Sequence, residues 1–434
     1  MGAQMMKTYD ETVAAIHALP RLAKTGGHER ILALLHALGD PQHDRYVHVT
    51  GTNGKGSTAS GIARIFEASG LKVGLYTSPF IMRFNERIMI DHHPIPDADL
   101  VAAAAATDAA IGQLRQANPE FAVTEFEYIT ALAFWYFHEQ QVDIAVIEVG
   151  IGGDTDSTNV IIPLVSVITS VGLDHAKLLG NTITSVATHK AGIIKPHRPV
   201  VTAALPADAM AAVQKRVAET GSDWLVAGRD FEADRAGLDG WGQRFDYRAQ
   251  TFHLSRVFIP LVGAYQVQNA ALAITASRLA AKAMNWPLQP QEILRGLAQN
   301  TWPARMEKLS NDPLIVIDGG HNPQGIAAML SAVKQVFKDE RVTLIVGVLG
   351  DKDLTTMIAE LEASAERLWL VPVPDNPRAE ALADYPDAGK LRTFASWQEA
   401  LSAHLDEFPD EPVVLTGSLY LASAVRQTLL GGKD

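Results

Sequence analysis

Cysteine is absent from all 434 residues, so disulfides, thiolate metal centres and cysteine nucleophiles are excluded at the outset. An intracellular setting is compatible with that absence. No apolar run is long enough to span a bilayer, and the opening residues Met1 to Lys7 lack the apolar core of a signal peptide. Met1-Gly2 is followed by Met6, where a myristoylation signal needs Ser or Thr. Positive charge is in short supply as well. Against 49 Asp and Glu stand 37 Lys and Arg, a formal net charge of −12 that argues against a nucleic-acid surface. These shortages predict a cytoplasmic protein with small-molecule ligands, no membrane attachment and no nucleic-acid partner.

What is present is ordinary in bulk and specific in detail. An apolar share of 47% and a charged share of 20% fit a globular protein, and the length predicts two or three domains. The informative stretch is His48 to Ser57 and Thr58, reading HVTGTNGKGST. It comes after a β-like run from Arg45 to Val49 and opens an apolar-periodic helix from Ser57 to Ala68. Glycines there let backbone N–H groups converge on an anion, the helix N-terminus adds its dipole, and Lys55 adds a point charge. Asn53, Gly54, Lys55, Gly56 and Ser57 therefore read as a phosphate cradle. Compared with G-x-x-x-x-G-K-[ST], Val49 holds the first glycine's place and Gly56 follows the lysine. The hydroxyl expected on Mg²⁺ is displaced, and other metal ligands are needed.

Those ligands are sought at the ends of other predicted strands, because ligands of open α/β sheets collect at strand carboxyl ends. Lys72 to Thr77 ends in Ser78, Val142 to Val149 contains Glu148, and Leu164 to Thr169 leads to His175. A hydroxyl, a carboxylate and an imidazole suit Mg²⁺ when phosphate oxygens and waters complete the shell. The bland alternatives are a buried salt bridge for Glu148 and a helix cap or core histidine for His175. Lys190, in a helix from Ser185 to Ile194, reads as a surface lysine, a nucleophile of lowered pKa or a carbamate. Ile81 to Pro96 reads as a long loop over a site, and Trp224 to Pro260 as a small antiparallel patch. Helices are expected from residue 8 to 38 with a break at Lys24 to Gly27, and over Asp97 to Gln116, Val123 to Gln140, Ala264 to Met284 and Gln289 to Gln299. Trp302 to Arg305 reads as an interdomain hinge. Beyond it, strands alternate with helices through Asp318 and His321 to the chain's end, as in a second parallel α/β domain.

Seven motifs in order resemble the folylpolyglutamate synthases, a group shared with bifunctional dihydrofolate synthases and related to the Mur ligases; the lactobacillus type matches best. They are HVTGTNGKGST (48–58), YTSPF and RFNERI (76–88), EVGIGGDTDSTNV (148–160), GLDH with HKAGIIK (172–195), WPARME (302–307), DGGHNP (318–323) and TGSLYL (416–421). The resemblance implies a Mur-ligase-like P-loop ATPase domain over residues 1–300, bearing the antiparallel patch, and a Rossmann-like α/β domain over 301–434. It implies an ADP-forming ligase that joins L-glutamate to the γ-carboxylate of a reduced folate through an acyl phosphate, with dihydropteroate as a further acceptor. ATP is expected at Asn53 to Ser57, Asn269, Arg305 and Asp318, and Mg²⁺ (two ions, with K⁺ admitted) at Ser78, Glu148 and His175. Folate is expected at Arg21, Thr124, Glu125, Phe126, Glu127, Asp154, Thr155 and Asp156, and glutamate at His321 and Ser418. Lys190, Asp318 and His321 are the expected catalytic residues, Lys190 as a carbamate, in a monomer. Two departures stand out: Thr155 replaces a bulkier residue of many relatives, and Gly320 replaces an alanine. The rivals are a Mur ligase acting on a UDP-linked peptide, which requires an N-terminal domain for which this chain leaves no room, and a nucleotide switch, which leaves Lys190 and DGGHNP without a role.

Overall fold

The computed structural model describes residues 7–21, 27–350, 354–374, 376, 382 and 389–431. The expected helix break at Lys24 to Gly27 lies, apart from Gly27, outside the described residues. Two compact units emerge: 1–234, 246–257 and 268–300 form the first, and 235–245, 258–267 and 301–434 the second. The assignment of 235–245 and 258–267 to the second unit is a departure from a single cut at residue 300, and nothing in the sequence pattern signals it.

The first unit is built on an eight-stranded sheet. Its strands are β1 (Tyr46–Thr50), β2 (Val73–Tyr76), β3 (Ile88–Ile90), β4 (His93–Pro94), β5 (Ile144–Glu148), β6 (Val165–Ile168), β7 (Val200–Thr202) and β8 (Trp224–Val226). They lie in the order β4-β3-β2-β5-β1-β6-β7-β8. Every residue of β1, β2 and β5 is buried, as strands covered by helices on both faces require. β1 is parallel to β5 on one side and to β6 on the other. The chain thus leaves β1 toward β2 and later crosses to β6, which makes the carboxyl end of β1 a topological switch point.

Two sequence expectations are corrected here. Ile81 to Pro96 is largely structured rather than a long loop, because β3 pairs antiparallel with β2 and β4 with β3. The Glu86 carboxylate fixes the approach by accepting the N–H groups of Ile81, Met82 and Arg83. Trp224–Val226 belongs to the parallel sheet, beside β7, and not to the antiparallel patch. That patch is the three-stranded sheet β9 (Glu232–Leu238), β10 (Gln243–Ala249) and β11 (Phe252–Ile259). Its connections are too short for parallel crossovers.

The second unit holds a six-stranded sheet of β12 (Glu307–Asn311), β13 (Leu314–Ile317), β14 (Thr343–Val346), β15 (Arg367–Leu370), β16 (Leu391–Thr393) and β17 (Val413–Thr416). The order is β12-β13-β17-β14-β15-β16, parallel except for the edge strand β12. β12 and β16 escape a reading of the sequence because short, half-exposed edge strands have little apolar alternation to show. Among the described residues, no helix is long and apolar enough to cross a membrane.

Candidate active site

The cradle in the first unit is shaped by residues 169–172, immediately after β6. Thr52 N–H donates to the Ser170 carbonyl, and the Thr52 hydroxyl and Gly172 exchange hydrogen bonds at 3.0 and 3.1 Å. The Asn53 N–H donates to Ser170 Oγ at 2.9 Å, and the Thr169 hydroxyl donates to the Asn53 carbonyl at 2.6 Å. The loop is therefore fixed from β6 before any ligand is considered. Gly54 caps the helix Lys55–Ala68 in the left-handed region, at φ 86°. A Cβ on Gly54 would lie 2.5 Å from Asn269 Oδ1. Asn269, an unremarkable helix residue in the sequence, thus stands against the cradle. Lys55 Nζ donates to the carbonyls of Gly51 and Thr52 at 3.1 and 3.4 Å.

Gly54→Ala should lower nucleotide affinity by about tenfold and cost about 1–2 kcal/mol of stability, through left-handed strain and the clash with Asn269. Calorimetric titration with an ATP analogue and a thermal melt check this. An alanine variant that binds as tightly as the parent would remove Gly54 from the cradle.

Glu148 ends β5 and is 4% exposed. Its register partner is Val49, the penultimate residue of β1. Its Oε2 accepts the Ser78 N–H at 3.1 Å, so Ser78 and Glu148 are joined at the ends of adjacent strands. The tie runs through the Ser78 backbone, which leaves its hydroxyl for other work. His175, by contrast, is exposed and left-handed at φ 53°, capping the short helix Ala176–Leu179. Among the described residues no group of three His, Asp or Glu side chains could hold a metal. That donor set still fits Mg²⁺, which takes one or two protein carboxylates and draws its remaining oxygens from phosphate and water. It does not fit an ion held by the protein alone.

Lys190 is 3% exposed and its ammonium has no hydrogen-bond partner among the described residues. The surface-lysine alternative is thereby excluded. Burial, followed by the Lys55 ammonium, pushes its pKa down to about 7, while Asp174 and Asp156 pull the other way. Beside it, His189 Nδ1 lies 2.8 Å from Asp154 Oδ1, a pairing the sequence does not suggest.

The expected folate residues separate into two groups. Thr124 and Glu127 form a capping box for the helix Glu125–Glu139, and Glu127 also meets Arg30 at 2.9 Å. Asp156 is buried, with its carboxylate accepting from Ile151 N–H, Thr158 N–H and the Thr158 hydroxyl. Burial raises the Asp156 pKa and these hydrogen bonds oppose the rise. The side chains of Thr124, Glu127 and Asp156 are thus all engaged within the scaffold. Glu125, Phe126 and Asp154 are half-buried, and Arg21 and Thr155 are exposed. Phe126 lies 6.2 Å, centroid to centroid, from Tyr76 at the end of β2.

In the second unit, Asp318 comes directly after β13, and Ser418 lies just past β17, the parallel neighbour of β13. Asp318 is buried, and its carboxylate accepts the N–H groups of Met306 and Gly320 at 2.9 and 2.8 Å. Burial raises its pKa against the opposing pull of Arg305 and those two N–H groups. Arg305 Nη1 donates to the Ala304 carbonyl at 2.8 Å. His321 Nδ1 lies 2.8 Å from the Gly319 carbonyl, so that nitrogen carries the proton. Ser418 caps the helix Leu419–Leu430 through Tyr420 N–H. Half-buried Tyr265, whose pKa is raised by desolvation and then by Asp318, completes this group. No sequence signal marks Tyr265 as a member.

Comparison with known proteins fits both units. A Mur ligase middle-domain model matches residues 49–277, and a Mur ligase, glutamate ligase domain model matches residues 304–419. The chain is 61% identical to the folylpolyglutamate synthase of Lacticaseibacillus casei, covering 98% of this chain and 100% of that one. It is 34% identical to the dihydrofolate synthase/folylpolyglutamate synthase of Bacillus subtilis, again over 98% and 100%. Among solved structures, an FPGS–AMPPCP–folate complex matches with a TM-score of 0.91 at 60% identity, over 98% of this chain and 100% of that one. The Mycobacterium tuberculosis folylpolyglutamate synthase complexed with ADP and AMPPCP matches with a TM-score of 0.88 at 29% identity, over 98% of each.

Proposed function

The chain belongs to the folylpolyglutamate synthases of the Mur ligase family, and on that premise we infer that it is an ATP-dependent, ADP-forming ligase adding L-glutamate to the γ-carboxylate of a reduced folate. The observation that carries this reading is local. Support comes from a glycine-rich loop fixed from β6, a buried carboxylate joined to Ser78 at neighbouring strand ends, and a buried lysine that feels the charge of Lys55 in that loop.

The chemistry comes from bringing two anions together. A carboxylate oxygen of the folate attacks the γ-phosphorus, the bond to the bridging oxygen breaks, and ADP leaves. The glutamate amine then attacks the acyl carbon and loses a proton, and inorganic phosphate departs. Positioning and charge compensation dominate such a transfer. We assign the triphosphate to Asn53 through Ser57 with Asn269, and its charge compensation to Lys55. Glu148 and the Ser78 hydroxyl would hold Mg²⁺, with His175 as a further donor, and the ion supplies neutralisation of phosphate charge. Lys190, half neutral near pH 7, is suited to take up CO₂ as a carbamate. Arg21, Thr124, Glu125, Phe126, Glu127, Asp154, Thr155 and Asp156 are assigned to the folate region, with Thr124, Glu127 and Asp156 also holding its scaffold.

We further assign ATP and folate to residues 1–300, glutamate to His321 and Ser418 within 301–434, and nucleotide contacts to Arg305 and Asp318. A second Mg²⁺ or a K⁺, a monomeric state and a cytoplasmic location complete the proposal. Relatives named for dihydrofolate synthase activity support a second reading, in which dihydropteroate is also an acceptor. Purified protein given ATP, Mg²⁺ and glutamate should release ADP only when a pteroyl acceptor is added. ADP release independent of any acceptor would overturn the ligase reading, and the response to dihydropteroate decides the second.

A further inference from the structure

Polar groups with no part in this chemistry form a buried chain behind the cradle helix. His92, in the turn between β3 and β4, meets Glu67 Oε1 through Nδ1 and lies 2.9 Å from Ser60 Oγ through Nε2. Ser60 Oγ donates to Asn300 Oδ1 at 2.7 Å, and Asn300 Nδ2 donates to the Ser57 carbonyl at 3.4 Å. Ser60 and Asn300 are buried. The chain ends on the first turn of the helix Lys55–Ala68, which carries the cradle. Asn300 reaches that helix because position 61 is glycine: a Cβ there would lie 3.1 Å from Asn300 Nδ2.

Counting protons shows what these groups do. The Ser57 carbonyl orients the Asn300 amide and leaves its Oδ1 facing Ser60. The single Ser60 proton is spent on that oxygen, so Ser60 must accept from His92 Nε2. A second N–H, at Nδ1, suits the Glu67 carboxylate, whose Oε2 takes Arg64 Nη1 at 3.0 Å. All bonds are satisfied only by an imidazolium. When it loses one proton, Nδ1 keeps its hydrogen because a carboxylate faces it. Nε2 becomes an acceptor, and His92 and Asn300 then compete for the one Ser60 proton.

We propose that Ser60 and Asn300 are positioning residues for the phosphate cradle, and that the protonation of His92 decides which way the Ser60 hydroxyl points. The proposal rests on reading the cradle as the ATP site. The groups acting on His92 are Glu67 and Asp91, which favour its protonated form, and Arg64, which with burial disfavours it. Burial is the largest effect and the pKa is lowered, so the change falls on the acid side of the ordinary histidine range. Below it, Ser60 is committed to Asn300 and Ser57 is held. Above it, the hold is shared and weaker.

The test is calorimetric binding of a non-hydrolysable ATP analogue to the full-length parent, Ser60→Ala and His92→Gln, from about pH 5 to pH 8 across the histidine range. The nucleotide's own titration is common to all three and cancels in ratios to the parent. Parent affinity should fall about three- to tenfold relative to His92→Gln as pH rises, the size of one net hydrogen bond. Ser60→Ala should stay weak throughout. In turnover assays the loss should lie in KM for ATP, with kcat retained. If Ser60→Ala does not fold, the His92→Gln curve decides alone. A His92→Gln curve parallel to the parent's would overturn the proposal. A parent that binds nucleotide but ligates nothing would overturn only the functional reading beneath it.

Discussion

Replacing Lys190 with methionine should remove nearly all ligase turnover and at the same time make the protein more stable at neutral pH. The two effects share one cause. An ammonium buried without a hydrogen-bond partner is costly, and Lys190 expresses that cost as a pKa of about 7 instead of 10.5. Between those values the unfolded chain binds the proton more tightly than the folded one. Stability therefore rises with pH from about 7 toward 10.5, and the penalty is complete below 7. Methionine keeps most of the volume and removes the charge, so a gain on the order of a few kcal/mol is expected below pH 7, shrinking as pH rises. Denaturant melts at several pH values in CO₂-depleted buffer measure it. The activity loss should be about 100-fold or more, typical of removing a group that stabilises developing charge. If the lysine works as a carbamate, Lys190→Ala should regain part of its turnover with short carboxylic acids that occupy the vacated space. A Lys190→Ala enzyme that is fully active unaided would end that idea, and a methionine variant no more stable than the parent at pH 6 would contradict the burial argument.

Glu148→Gln should be nearly as damaging, for a different reason. The amide oxygen of glutamine can still accept the Ser78 N–H that Glu148 accepts at 3.1 Å, so the strand ends stay joined and the fold survives. The negative charge is lost, and with it the attraction for a divalent cation. Turnover should fall about 100-fold at ordinary Mg²⁺ and recover in part as the ion is raised, in keeping with the effect of altering a metal's oxygen ligand. Ser78→Ala, which removes only a neutral donor, should fall by about tenfold. Steady-state ADP release titrated with Mg²⁺ reads both. Full activity of Glu148→Gln at ordinary Mg²⁺ would remove this carboxylate from the metal site.

The outcome of both experiments depends on residues whose positions are legible to different degrees. Lys55, Ser78 and Glu148 can be placed from the sequence because each ends a run of buried apolar residues, and a parallel sheet puts such ends on one edge. Asn269 and Lys190 cannot be read that way. Each lies on a helix whose periodicity says only that one face is buried, and their roles depend on what packs against that face. Thr124, Glu127 and Asp156 show the converse, since residues expected at a ligand also hold the scaffold. A capping box and a carboxylate satisfied by backbone N–H groups use the same residue types that bind ligands.

Two α/β units, the glycine-rich loop between strand and helix, the switch from helical to strand periodicity, and the family can all be read from the residues alone, because local propensity and motif spacing are properties of short segments. That residues 235–245 and 258–267 group with the second unit, that Lys190 is buried with a lowered pKa, and that Asn269 stands against Gly54 become visible in the folded chain alone. Those are consequences of which distant segments share a core and how far water is excluded from it. Burial and proton sharing are set by neighbours in space, and a linear pattern does not name them.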